Sequence, residues 1–136
     1  MKKIIVTLAI VTATLSATNY TKEDRIKDMQ IMASAMQDIQ NGFFYNNFDM
    51  IKVGTTKLTK TIVKVEPPLE EVEEKDVMTR YVNNKVQISN SIKRRINKKT
   101  KVLLERFSQG DTVQAIHAFT KITKECMKCH TQLRNW

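Results

Sequence analysis

The sequence predicts an all-α protein folded as an antiparallel four-helix bundle, and three observations carry that prediction. Four segments place apolar residues at steps of three and four, the period of a helix with one buried face. The chain holds only three Gly and two Pro, few for the many turns of a sheet protein. No segment alternates apolar and polar residues convincingly enough for a strand to compete. A length of 136 residues suits one domain around one core, and 41% hydrophobic with 27% charged residues is the composition of an ordinary globular chain rather than a disordered one.

The first 17 residues, MKKIIVTLAIVTATLSA, stand apart from the bundle. Lys2 and Lys3 precede a short apolar run from Ile4 to Val11, and small residues follow up to Ala17. That order is the pattern of a secretory signal peptide, with cleavage expected after Ala17. The run is well short of the roughly 20 residues a spanning helix needs. The expectation is an exported, periplasmic protein with no membrane span, its single domain covering residues 18–136.

The first helix begins in TKEDRIKDMQIMASAMQDIQNGFF, where Thr21 and Asp24 have the spacing of a capping box. Ile26, Met29, Met32 or Ala33, Met36 and Ile39 then form its apolar stripe. A second helix is expected from about Phe48 to Val65, with Ile51, Leu58, Ile62 and Val65 on one side and Gly54 where a neighbouring helix can come close. Pro67 and Pro68 stop it, and the acidic stretch VEPPLEEVEEKD reads as a solvated connection.

A third helix is expected from about Asp76 to Ser108, marked by Met78, Tyr81, Ile88, Ile92, Ile96, Leu103 and Phe107, with a weak point near Asn97 to Thr100. In the break SQGD, Gly110 serves as the C-terminal stop and Asp111 as the next N-cap. The fourth helix runs from Thr112 to about Arg134, with Val113, Ile116, Phe119, Ile122, Cys126, Cys129 and Leu133 as its stripe. No helix of this kind buries its stripe alone, so the four pack on one another.

The formal charge of +9 falls to +7 once Lys2 and Lys3 are removed, still a basic protein that favours acidic partners. The excess centres on Lys93, Arg94, Arg95, Lys98, Lys99 and Lys101. These form a solvated helix face or a docking surface for an anionic partner. A nucleic-acid partner is not expected, because the segment lacks aromatic platforms or a reading-helix motif and the chain is exported.

The stretch CMKCH, Cys126 to His130, holds both cysteines and one of the two histidines. On a helix, positions i, i+3 and i+4 share one side, so two thiols and an imidazole form one patch. Such a patch suits haem: each thiol adds to a vinyl group as a thioether, and the histidine coordinates the iron. Other uses of these residues fit less well. A redox disulfide usually sits at the start of a helix after a strand, in an α/β fold. A zinc site needs a fourth ligand, and His117 is the only other histidine, to one side of the apolar stripe. A disulfide between Cys126 and Cys129 would be strained within a helix. The haem reading, with one covalent haem c, agrees with the export signal.

With these residues in view, the chain resembles the class II cytochromes c, which comprise cytochrome c′ and its low-spin relatives. The likeness lies in the haem motif at the extreme C-terminus and in the layout of GDTVQAIHAFTKITKECMKCHTQLR, with an arginine, Arg134, four residues past the histidine. It lies also in RIKDMQIMAS, where Arg25 precedes by four the residue that covers the distal face of the haem, here Met29. The middle of the chain matches only in helix pattern and length. Leu133 replaces the family's usual aromatic residue, which alters packing at the haem edge.

The four-helix bundle is this family's fold. The resemblance implies thioether links at Cys126 and Cys129, His130 as proximal ligand, and Met29 as distal ligand, with Met32 next in line on the same helix. It implies that Arg25 and Arg134 hold haem propionates or shape the field near the iron, and that Phe119 and Ile122 pack on the ring or beside it. His/Met iron moves single electrons between larger redox proteins, so an electron carrier rather than an enzyme is expected, docking on acidic patches of its partners. The alternative is a five-coordinate, cytochrome c′-like protein that binds nitric oxide, with Met29 merely covering the iron. Family members often pair as homodimers through the first two helices, an assembly that Gly54 would suit.

Overall fold

A computed structural model describes residues 20–67 and 84–133. They form α1 (Lys22–Phe44), α2 (Phe48–Ile62), α3 (Lys85–Ser108) and α4 (Thr112–Leu133). The expected signal peptide, Pro68, Met78, Tyr81 and Arg134 lie outside the described residues. Helix α2 ends at Ile62, three residues short of the expected Val65, which is nonetheless buried. Helix α3 is continuous through Asn97 to Thr100, the stretch expected to be its weak point. There the Thr100 hydroxyl donates to the Asn97 carbonyl at 2.9 Å, so the hydroxyl is satisfied within the helix itself.

The helix ends follow from local chemistry. Thr21 and Asp24 form the expected capping box: the Thr21 hydroxyl accepts from the Asp24 N–H at 3.2 Å, and the Asp24 carboxylate accepts from the Thr21 N–H at 3.0 Å. Helix α1 closes in a Schellman motif, with the Asn46 N–H donating to the Phe43 carbonyl and the Asn47 N–H to the Gly42 carbonyl. Its left-handed position is Asn46, φ 48°, a conformation that asparagine tolerates better than other side chains. Asn47 then caps α2 by accepting from the Met50 N–H. The α3 to α4 connection repeats the device: Gly110 has φ 78°, the Asp111 N–H donates to the Arg106 carbonyl, and the Asp111 carboxylate caps α4 at the Gln114 N–H.

These short connections make α1/α2 and α3/α4 antiparallel pairs. The middle pair is antiparallel as well, because Val63, just past α2, accepts a hydrogen bond from Lys93 near the start of α3. One end of the bundle is tied by aromatic rings. Phe43 meets Phe107 edge-on at 5.5 Å and Phe119 at 5.8 Å, while Phe48 stacks on Phe107 at 6.1 Å.

The core is aliphatic, with Ile39, Ile51, Leu58, Ile92, Ile96, Leu103 and Ile122 fully buried. Gly54 is where α2 meets α1: a Cβ there would stand 2.8 Å from the Ala35 carbonyl oxygen. The close approach expected of Gly54 is therefore made within one chain, and this glycine is not a free contact for a second copy. Two stripes are corrected. Ile26 at 43%, Val113 at 65% and Ile116 at 45% exposure lie outside the core, and Ala35, Ala115 and Ala118 are buried instead. Successive steps of three fall behind a 3.6-residue turn by roughly 60° each. A stripe drawn through Val113, Ile116, Phe119 and Ile122 thus swings across half the helix.

Candidate functional site

Helix α4 brings Cys126, Cys129 and His130 to one cleft, and its Lys121 and Lys124 are exposed. Facing the cysteines across that cleft is α1, with Met29, Met32, Ala33 and Met36. Ile62 of α2 and Ile96 of α3 complete the lining. The cleft exists because the α1/α4 seam is open: nowhere do these helices bring Cα atoms within 8 Å of each other. The aromatic contact of Phe43 with Phe119 ties them at the far end.

The cleft has a volume of about 130 Å³. No acidic or basic side chain other than His130 lines it. Burial in this surrounding, with the neighbouring Cys129 second, pushes the Cys126 thiol up from 9.0 to about 11, because a thiolate loses its hydration there. No disulfide joins the two cysteines. Among the described residues no three His, Cys, Asp or Glu side chains converge to hold a metal ion.

This donor set suits a flat apolar group. Two thiols and one imidazole stand on one wall, three thioethers lie opposite, and aliphatic side chains lie between. At about 130 Å³ the cleft is smaller than a tetrapyrrole, so admitting one would part α1 from α4 at their open seam.

Arg25 is buried, at 8% exposure, one turn before Met29 on α1. Near it the Tyr20 hydroxyl donates to Asp28 at 2.8 Å, and burial together with this bond raises the phenol well above its usual range. Met29 is half-buried, whereas Met32, at 7% exposure, belongs to the core. Phe119 packs on Phe43, and Ile122 is fully buried. His117 is exposed on α4. Behind the cleft, Lys93 of α3 donates to the Val63 carbonyl at 3.2 Å. Its burial lowers the ammonium pKa, opposed by the fields of Glu66 and Cys129.

Sequence periodicity assigns Ile62 and Ile96 to the core without placing them at the site. Only the pairing of α2 with α3 puts both behind the cysteines. Comparison of the chain with protein-family models, with curated proteins and with solved structures finds no match.

Proposed function

We propose that the protein is a periplasmic monohaem c-type cytochrome that carries single electrons between redox partner proteins and is not an enzyme. The observation that carries this reading is the cleft itself: the CMKCH patch of α4 faces Met29 of α1 across an apolar space at an open helix seam. Cys126 and Cys129 would hold the group covalently, and His130 and Met29 would bind its iron. When bound, a haem supplies a reversible one-electron change at iron, at a potential raised by His/Met ligation.

The chain's own contributions follow from its packing. The thiols sit one helical turn apart on a continuous α4, which fixes their separation. Ile62, Ile96 and Met32 exclude water from the inner wall. The tight α1/α2 contact at Gly54 sets where α1, and so Met29, stands. A buried Arg25 near Met29 provides a positive charge suited to a carboxylate such as a propionate.

The test is expression with export and haem attachment. The intact protein should gain the mass of one haem, and Cys126→Ser with Cys129→Ser should abolish the gain. Ferric and ferrous absorption spectra then separate an electron carrier from a gas-binding protein, since only an open iron face responds to carbon monoxide.

A further inference from the structure

Away from the cleft, α2 and α3 leave a groove of about 480 Å³ between them, whose polar lining includes Thr55, Thr59, Lys60, Asn97, Thr100 and Lys101. We infer that this groove binds an extended acidic segment of a partner protein, whose carboxylates meet Lys60 and Lys101 and whose backbone donates to Asn97.

Charge is the first argument. Lys60 and Lys101 are the ionisable residues of the lining, which contains no acid. Lys52 adjoins in a neighbouring depression that shares Thr56 and Lys60 and also holds Asp49, and Arg94 lies three residues before Asn97 on the same side of α3. Other cations of this region are engaged: Lys57 with Asp38 at 3.4 Å, and Arg95 with Glu125 at 2.8 Å. None of the ion pairs found among the described residues takes Lys52, Lys60, Arg94 or Lys101.

Hydrogen bonding is the second, independent argument. Thr55, Thr59 and Thr100 each donate their hydroxyl to a carbonyl of their own helix. Thr55 and Thr100 are themselves buried, so of the three only Thr59 presents a remaining lone pair to the groove. The side-chain oxygen of Asn97, a lining residue, is buried beneath the groove surface without a hydrogen-bond partner, and turning it into the groove to meet a donor would recover the free energy that its present position costs. The groove therefore offers cations at its rim, with acceptors at Thr59 and, once its amide turns outward, at Asn97.

An extended acidic peptide satisfies both, with carboxylates for the lysines and N–H groups for the acceptors. Nucleic acid fits less well, because no aromatic side chain lines the groove for a base to stack on. A lipid surface is flat and does not enter a recess between two helices. The inference holds whether or not the cleft carries haem, so its test reads binding alone.

The probe is fluorescein-labelled decaglutamate, titrated with the exported full chain and followed by anisotropy at low and high salt. Binding should weaken with salt. Lys60→Gln with Lys101→Gln should weaken it about tenfold at low salt. Asn97→Ala should weaken it about fivefold while leaving the salt dependence unchanged. Lys121→Gln with Lys124→Gln, which removes the same charge from α4, should change it less than about twofold. Circular dichroism confirms that each variant is folded. Equal weakening by the two lysine pairs would reduce the effect to net charge and overturn the proposal. It would also be overturned if single-stranded DNA or phosphatidylglycerol vesicles bound through Lys60 and Lys101 and decaglutamate did not.

Discussion

Gly54 of α2 lies against the main chain of Ala35 in α1, so close that a Cβ on the glycine would stand 2.8 Å from the Ala35 carbonyl oxygen and 2.8 Å from Ile39 Cγ1. The oxygen belongs to a helix backbone and cannot swing away as a side-chain tip would. Gly54→Ala gains about 1 kcal/mol of helix propensity, but the steric conflict outweighs it. A net loss of about 1 to 3 kcal/mol is expected, measured by urea unfolding. Because α1 must move, the variant should also alter the surroundings of Met29.

Gly110 makes the contrast. Its φ is 78°, and a Cβ added to it would meet nothing within 4 Å, so only backbone conformation opposes a side chain. Gly110→Ala should cost about 1 to 2 kcal/mol with no change at the cleft. Loss of stability without a change in haem spectrum is the result that separates it from Gly54→Ala.

The sequence and the fold agree where one residue type has one physical use. Thr21 with Asp24, and Gly110 with Asp111, act locally, so their roles are legible without any tertiary contact. The aliphatic stripe of α2 and the turn after it, Ile51, Leu58, Ile62 and Val65, is buried as expected. Stripes on α1 and α4 are only partly legible, because small alanines carry the packing at Ala35, Ala115 and Ala118 and leave a weak hydrophobic signal. Asn46 gives no clear sign of its left-handed role, which depends on the Schellman bonds around it. At the site, Cys126, Cys129 and His130 are legible as one patch from spacing alone. That Met29 faces them, with Ile62 and Ile96 behind, depends on how helices pair, which helix periodicity does not encode.

Acid should loosen the start of α1. Hydrogen bonds from the Thr21 N–H and hydroxyl hold the Asp24 carboxyl below its usual 3.8. A depressed carboxylate stabilises the fold above its unfolded pKa and loses that contribution as pH falls through its folded one. Amide exchange at Thr21 and Asp24 should therefore rise below about pH 4 relative to the chemical rate, and Asp24→Asn should remove this pH dependence.

The haem-free chain should show a sluggish thiol. With the Cys126 pKa raised from 9.0 to about 11, the reactive thiolate at pH 8 is roughly 100-fold scarcer than in an ordinary cysteine. Iodoacetamide labelling of Cys126, followed by peptide mass spectrometry, should be slower by that order in the folded chain than in urea. The linkage has the opposite sign to that of Asp24: the thiol's contribution is intact below about pH 9 and is lost as pH rises through about 11.

The most direct test of the central claim is the visible spectrum of the haem-loaded protein, ferric and ferrous, before and after carbon monoxide, in the parent chain and in Met29→Ala. The account predicts a low-spin parent with a weak band near 700 nm, roughly where His/Met iron absorbs, and no response to the gas. Met29→Ala should convert it to a high-spin form that binds carbon monoxide. A parent that is already high-spin and shifts with carbon monoxide, unchanged by Met29→Ala, would contradict the account and identify a gas-binding protein.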